Sequence, residues 1–168
     1  MKTADKILFD PEDDLNTSLK KACYEGLPLF LLANISTRNS NLPFPLWVYS
    51  EGRSRNGEHN IPRIKVGFIF DGEVEEAEIS ITDPIEIIEG TASNNSEKDM
   101  EKVFDFIKTH QKAFLLHYNM VWDDCAILTY ARCVGRRKLS IKETLSYLLE
   151  EQLIDDIPDE YQELFKED

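Results

Sequence analysis

The spacing of apolar residues changes period about half-way along the chain. Between Arg63 and Thr82 apolar and polar positions alternate: Ile64, Val66, Phe68 and Phe70 share one face, and Ala77, Ile79 and Ile81 share another. That period of two is the pattern of half-buried strands. Asp71-Gly72 between the two runs favours a two-residue turn, because both of its central positions need positive φ. Such a turn sets Phe70 opposite Glu73, Ile64 opposite Ile79, Lys65 opposite Glu78 and Arg63 opposite Ser80. Leu46 to Ser50, after the proline-rich Leu42-Pro43-Phe44-Pro45, and Ile85 to Glu89, before Gly90, read as further short strands.

Beyond the polar link from Thr91 to Asn95 the period becomes helical. Met100, Val103, Phe104 and Ile107 recur at i, i+3, i+4 and i+7, behind Ser96 as a candidate N-cap. Phe114, Leu115, Tyr118 and Val121 predict a second helix. Asp123 or Asp124 can cap a third that turns Ile127, Tyr130, Ala131 and Val134 inward and stops at Gly135. Ser140 with Glu143 forms a capping box for a fourth, carrying Ile141, Leu145, Leu148 and Leu149. Pro158 to Lys166 adds a short last helix packing Tyr161, Leu164 and Phe165.

Upstream, Asp13 to Glu25 reads as a helix capped near Asp13 or Asn16 and stopped by Gly26 and Pro28. Leu27 to Ile35 is an apolar run too short for periodicity to separate helix from strand. The expectation is a single α+β domain over residues 1–168. An N-terminal helix and apolar segment occupy 1–45, a β-meander of three to four antiparallel strands with a central hairpin 46–90, and a helical half with an acidic tail 96–168.

Composition narrows the function classes. With 42% hydrophobic residues in 168 the chain can bury one sizeable core. No apolar run approaches the roughly 20 residues that span a bilayer, so a cytoplasmic protein with no membrane partner is expected. Cys23, Cys125 and Cys133 form no CxxC pair, and neither a disulfide framework nor a metal site is indicated; all three read as buried thiols. The formal charge of -13 excludes general binding to a phosphate backbone, which requires a positive surface. That charge is concentrated in Glu150 to Asp168, where nine carboxylates meet one lysine. Glu150, Glu151, Asp155, Asp156, Asp159 and Glu160 are accordingly the candidate contact with a protein partner.

One stretch runs against this charge. Arg53, Arg55, His59, Arg63 and Lys65 gather in and beside a polar loop, in an arrangement suited to an anion, since guanidinium forks match phosphate and carboxylate oxygens. In that reading His59 is the candidate general acid or base. The plainer account pairs Lys65 with Glu78 across the ladder and makes the stretch the solvent face of a hairpin. No glycine-rich phosphate loop, nucleophile elbow or cofactor motif accompanies it, and no cofactor is expected. His110 and His117 read as partly buried, hydrogen-bonded histidines. Another basic group, Arg132, Arg136, Arg137 and Lys138, lies further on.

The strand His59-Asn60-Ile61-Pro62-Arg63-Ile64-Lys65-Val66, followed by Val103-Phe104-Asp105-Phe106-Ile107 and Ala113-Phe114-Leu115-Leu116-His117-Tyr118-Asn119, resembles the domain-of-unknown-function 4160 family. Some members of that family are DhiT-type toxins of toxin-antitoxin pairs, and its strand has the form H-N-P-P-H-F-H-V. The resemblance covers residues 46–128. It implies a bacterial or phage conflict system. Arg63 and Lys65 stand where the family has histidines, so chemistry that needs several histidines does not carry over. Two functions remain in view: a non-enzymatic acidic protein that binds a protein partner, and a toxin-like enzyme or nucleotide- or RNA-binding protein with an anion site on residues 53–65.

Overall fold

The computed structural model describes residues 33–48, 61–70, 73–90 and 97–166. The N-terminal helix expected at Asp13 to Glu25, the loop carrying Arg53, Arg55 and His59, and Cys23 lie outside them. The described elements run β1 (Ala33–Ile35), α1 (Thr37–Ser40), β2 (Leu46–Val48), β3 (Arg63–Phe70), β4 (Glu73–Ser80), β5 (Ile87–Gly90), α2 (Glu97–Thr109), α3 (Gln111–Tyr118), α4 (Asp124–Val134) and α5 (Ile141–Glu150), ending in a 3-10 helix, Asp159–Phe165. The fold is α+β, with the longer helices α2 to α5 following the strands.

The five strands form one antiparallel sheet in sequence order. The count is one more than expected, because the ambiguous apolar run ends as β1, paired with β2 from Ala33 opposite Val48 to Ile35 opposite Leu46. In the central hairpin Phe70 lies opposite Glu73, Ile64 opposite Ile79, Lys65 opposite Glu78 and Arg63 opposite Ser80, the register that a two-residue turn dictates. Leu46, Val48, Ile64, Val66, Ala77 and Ile79 therefore share one face, and all are buried in a continuous core with Val103, Ile107, Phe114, Ile127, Tyr130, Leu145 and Leu148 of the helices.

The other face is not the plain solvent surface that alternation suggested. Register aligns Asn34, Trp47, Lys65, Glu78 and Glu89 in a row across all five strands. Trp47 in that row is only 2% exposed, yet it stands outside the main core cluster.

The helices bury the stripes their spacing set. Met100, Val103 and Ile107 are buried on α2, Ile127, Tyr130 and Ala131 on α4, and Leu145 and Leu148 on α5. Asp123 caps α4 by accepting the Ala126 N–H at 2.8 Å. Ser140 caps α5 by accepting the Glu143 N–H at 3.1 Å. Three apolar residues expected to face inward do not: Val121 lies past the end of α3, and Leu149 and Leu164 are exposed. Cys133 is buried as expected, whereas Cys125 is exposed on the first turn of α4.

Gly135 ends α4, but not through the left-handed conformation expected of it, since its φ is -85°. A close approach explains it instead. A Cβ there would lie 2.5 Å from the carbonyl oxygens of both Asn39 and Ser40, and the Arg136 N–H donates to the Asn39 carbonyl at 2.8 Å. The turn carrying α1 thus packs directly on the end of α4.

Candidate functional site

On the hairpin, the two described cations of the basic stretch are matched with carboxylates. Arg63 is 7% exposed, and its Nε lies 3.1 Å from a Glu78 carboxylate oxygen. Lys65 is half-buried, with Nζ 2.9 Å from Glu76. The expected Lys65–Glu78 pair is therefore replaced by two diagonal pairs, each cation reaching one pleat along the partner strand. Diagonal contact suits the long arginine, which satisfies its charge under cover of the sheet rather than facing solvent.

The two described histidines, His110 and His117, are both buried but sit in different settings. His110 is buried against Phe106, its ring centroid 4.6 Å away, and its Nδ1 is 2.9 Å from the Tyr130 hydroxyl. Burial pushes its pKa down to about 4, so the imidazole is neutral at physiological pH. The same desolvation raises Tyr130 well above the usual phenol range and Tyr161 to about 12. These groups make an uncharged polar seam inside the helical half.

His117 belongs to a different setting. It is 2% exposed, and its Nε2 lies 2.8 Å from Asp124 Oδ1. With Nε2 donating to the carboxylate, Nδ1 is left buried and without a partner among the described residues. The pair ties the last turn of α3 to the first turn of α4 and fixes the connection between them.

That connection forms one wall of a groove with a volume of about 950 Å³. Its lining comes from two segments, residues 116–124 and residues 152–160. The two are built alike. At the end of α3, Met120 adopts φ 61°, the Met120 N–H donates to the His117 carbonyl at 3.0 Å, and the Val121 N–H reaches back to Leu116 at 2.9 Å. At the end of α5, Gln152 adopts φ 59°, its N–H donates to Leu149 at 3.1 Å, and the Leu153 N–H reaches Leu148 at 2.9 Å. Both are Schellman stops, which satisfy the last helical carbonyls through a left-handed residue. Each reverses the chain sharply and sends it into the groove wall.

The groove has an apolar floor and an acidic rim. Leu116, Trp122 and Ile154 are buried in its lining, with Leu153 and Ile157 half-buried. Asp123 and Asp124 stand on one side, and Asp155, Asp156, Asp159 and Glu160 on the other. Met120 and Val121, at 62% and 66% exposure, are the most exposed of the large hydrophobic residues described. Four of the six carboxylates singled out from sequence are thus brought together. Glu150 and Glu151 are exposed at the end of α5 but do not line the groove. Sequence reasoning missed Met120, Val121, Asp123 and Asp124 as groove residues; the clue was Val121, whose place in a helical stripe failed once the helix stopped at Tyr118.

Chemically the lining suits binding. It contains six carboxylates and no serine, threonine or cysteine to serve as a nucleophile. No group of three or more histidine, cysteine, aspartate or glutamate side chains among the described residues is placed to hold a metal ion. No described helix is long and apolar enough to cross a membrane. Compared with protein-family models, with curated proteins and with solved structures, the chain matches none.

Proposed function

We propose that the protein is a non-enzymatic acidic interaction protein that binds a basic protein partner at the groove between residues 116–124 and 152–160. The observation that carries this reading is the convergence of Asp155, Asp156, Asp159 and Glu160 with Asp123 and Asp124 around one apolar-floored depression. Like charges held close together repel one another, and an approaching cationic surface relieves that repulsion while being steered by it. The setting, a bacterial or phage conflict system, rests on the family resemblance of residues 46–128. The competing reading, an anion site on residues 53–65, gains nothing from Arg63 and Lys65, whose charges are met by Glu78 and Glu76.

Affinity capture with the full chain tests the proposal. The expected result is a stoichiometric protein partner that is retained at low salt, released at high salt, and lost when Asp155→Lys and Asp156→Lys are combined. Equal capture by the variant, or recovery of nucleic acid in place of protein, contradicts it.

A further inference from the structure

Met120 is an odd choice for its position. A residue with φ 61° strains any side chain that carries a Cβ, and glycine or asparagine is the usual occupant of a Schellman stop. Here the position holds a large, flexible apolar side chain that is 62% exposed, followed by a valine that is 66% exposed. Neither contributes burial in return for the strain. Backbone strain retained at an exposed apolar residue points to a use outside the fold, and methionine is suited to adaptable binding surfaces.

The turn is also held firmly. The Val121 and Trp122 N–H groups both donate to the Leu116 carbonyl, at 2.9 and 3.1 Å, and the His117–Asp124 pair fastens the two flanking helices. Met120 and Val121 are therefore presented in a fixed direction, beside six carboxylates and above the floor of Leu116, Trp122 and Ile154.

We infer that the occupant of the groove is a basic amphipathic segment of the partner: an apolar side seated on Met120, Val121 and the floor, with lysine or arginine side chains reaching the acidic rim. This rests on the acidic-interaction reading and deepens it by naming the chemistry of the partner. The argument is one of complementarity. A purely cationic strand leaves the apolar floor and the Met120–Val121 knob uncovered, and a purely apolar one covers the exposed rim of Asp155, Asp156, Asp159 and Glu160 without bringing it a countercharge. The groove volume, about 950 Å³, lies at the upper end of the roughly 300–1,000 Å³ of small-molecule sites and is ample for several side chains of a docked segment.

Two short labelled peptides with equal lysine count, one of leucine and lysine at helical spacing and one of serine and lysine, distinguish the possibilities when titrated into the full chain. The leucine–lysine peptide is expected to bind at least about tenfold more tightly, with an affinity that falls as salt rises. Met120→Gly relieves the backbone strain and so keeps the fold, yet it is expected to weaken that binding by about fivefold or more. A circular-dichroism melt at or above that of the parent confirms that folding is not the cause. Equal affinity for the two peptides, or full affinity in Met120→Gly, overturns the amphipathic assignment while leaving the acidic-interaction reading in place. Binding of neither peptide also overturns it, and the earlier reading is then judged by affinity capture alone.

Discussion

Glu78 shows how much a single carboxylate can hold in place. It faces Arg63, which is nearly buried, whereas the neighbouring pair of Lys65 and Glu76 is more open. Removing one partner of a covered pair leaves the other charge desolvated, whereas an exposed pair contributes little. Glu78→Gln is therefore expected to lower stability by about 2–4 kcal/mol in urea unfolding, and Glu76→Gln by less than about 1 kcal/mol. Similar losses for both would place Arg63 at the surface. The same burial makes charge reversal at Arg63 a folding defect, contrary to what a solvent-facing arginine implies. His110 gives a pH dependence of definite sign. Its pKa is about 4 in the fold against an ordinary value of 6.5, so between these values the unfolded chain binds the extra proton. Its contribution is present above about pH 6.5 and is lost as pH falls towards about 4, on the order of 3 kcal/mol in all. His110→Gln is expected to flatten that part of the stability profile relative to the parent. Parallel profiles would show that His110 titrates normally. Cross-strand register was legible from the Asp71-Gly72 signal. The same register put Glu78 on the diagonal from Arg63, where the pair is found; the shift of Lys65 from Glu78 to Glu76 and the burial of Arg63 were not legible, because they depend on side-chain reach and on the covering of a face that alternation alone marks as polar.

At the scale of elements, the helical stripes and the caps at Asp123 and Ser140 could be read directly, since each depends on residues within one turn of one another. The ends of α3 and α5 could not. Neither Met120 nor Gln152 is a glycine, and the C-terminal signals that sequence offers are chiefly Gly and Asn. Gly135, which did carry that signal, does end α4, but it is glycine to give room for the backbone of Asn39 and Ser40 rather than to adopt a left-handed conformation. Gln152→Gly provides the matching test of strain. It is expected to raise stability by roughly 0.5–1 kcal/mol, because glycine adopts φ 59° without a Cβ penalty. Destabilisation in thermal unfolding would mean that the Gln152 side chain makes a contact worth more than the strain it causes.

For the molecule as a whole, the acidic segment was visible from composition, but its meaning depends on tertiary structure. Residues 152–160 gain an opposing wall only because the stop after α3 turns residues 120–124 towards them, a meeting across about thirty positions that no local pattern encodes. The strongly negative charge of the chain thereby acquires a direction. The most direct measurement is amide hydrogen exchange on the full chain, alone and in complex with the partner recovered by affinity capture. Protection is expected in residues 116–124 and 152–160, with the β3–β4 hairpin unchanged. Protection confined to the hairpin, with both groove walls exchanging as in the free chain, would contradict the account.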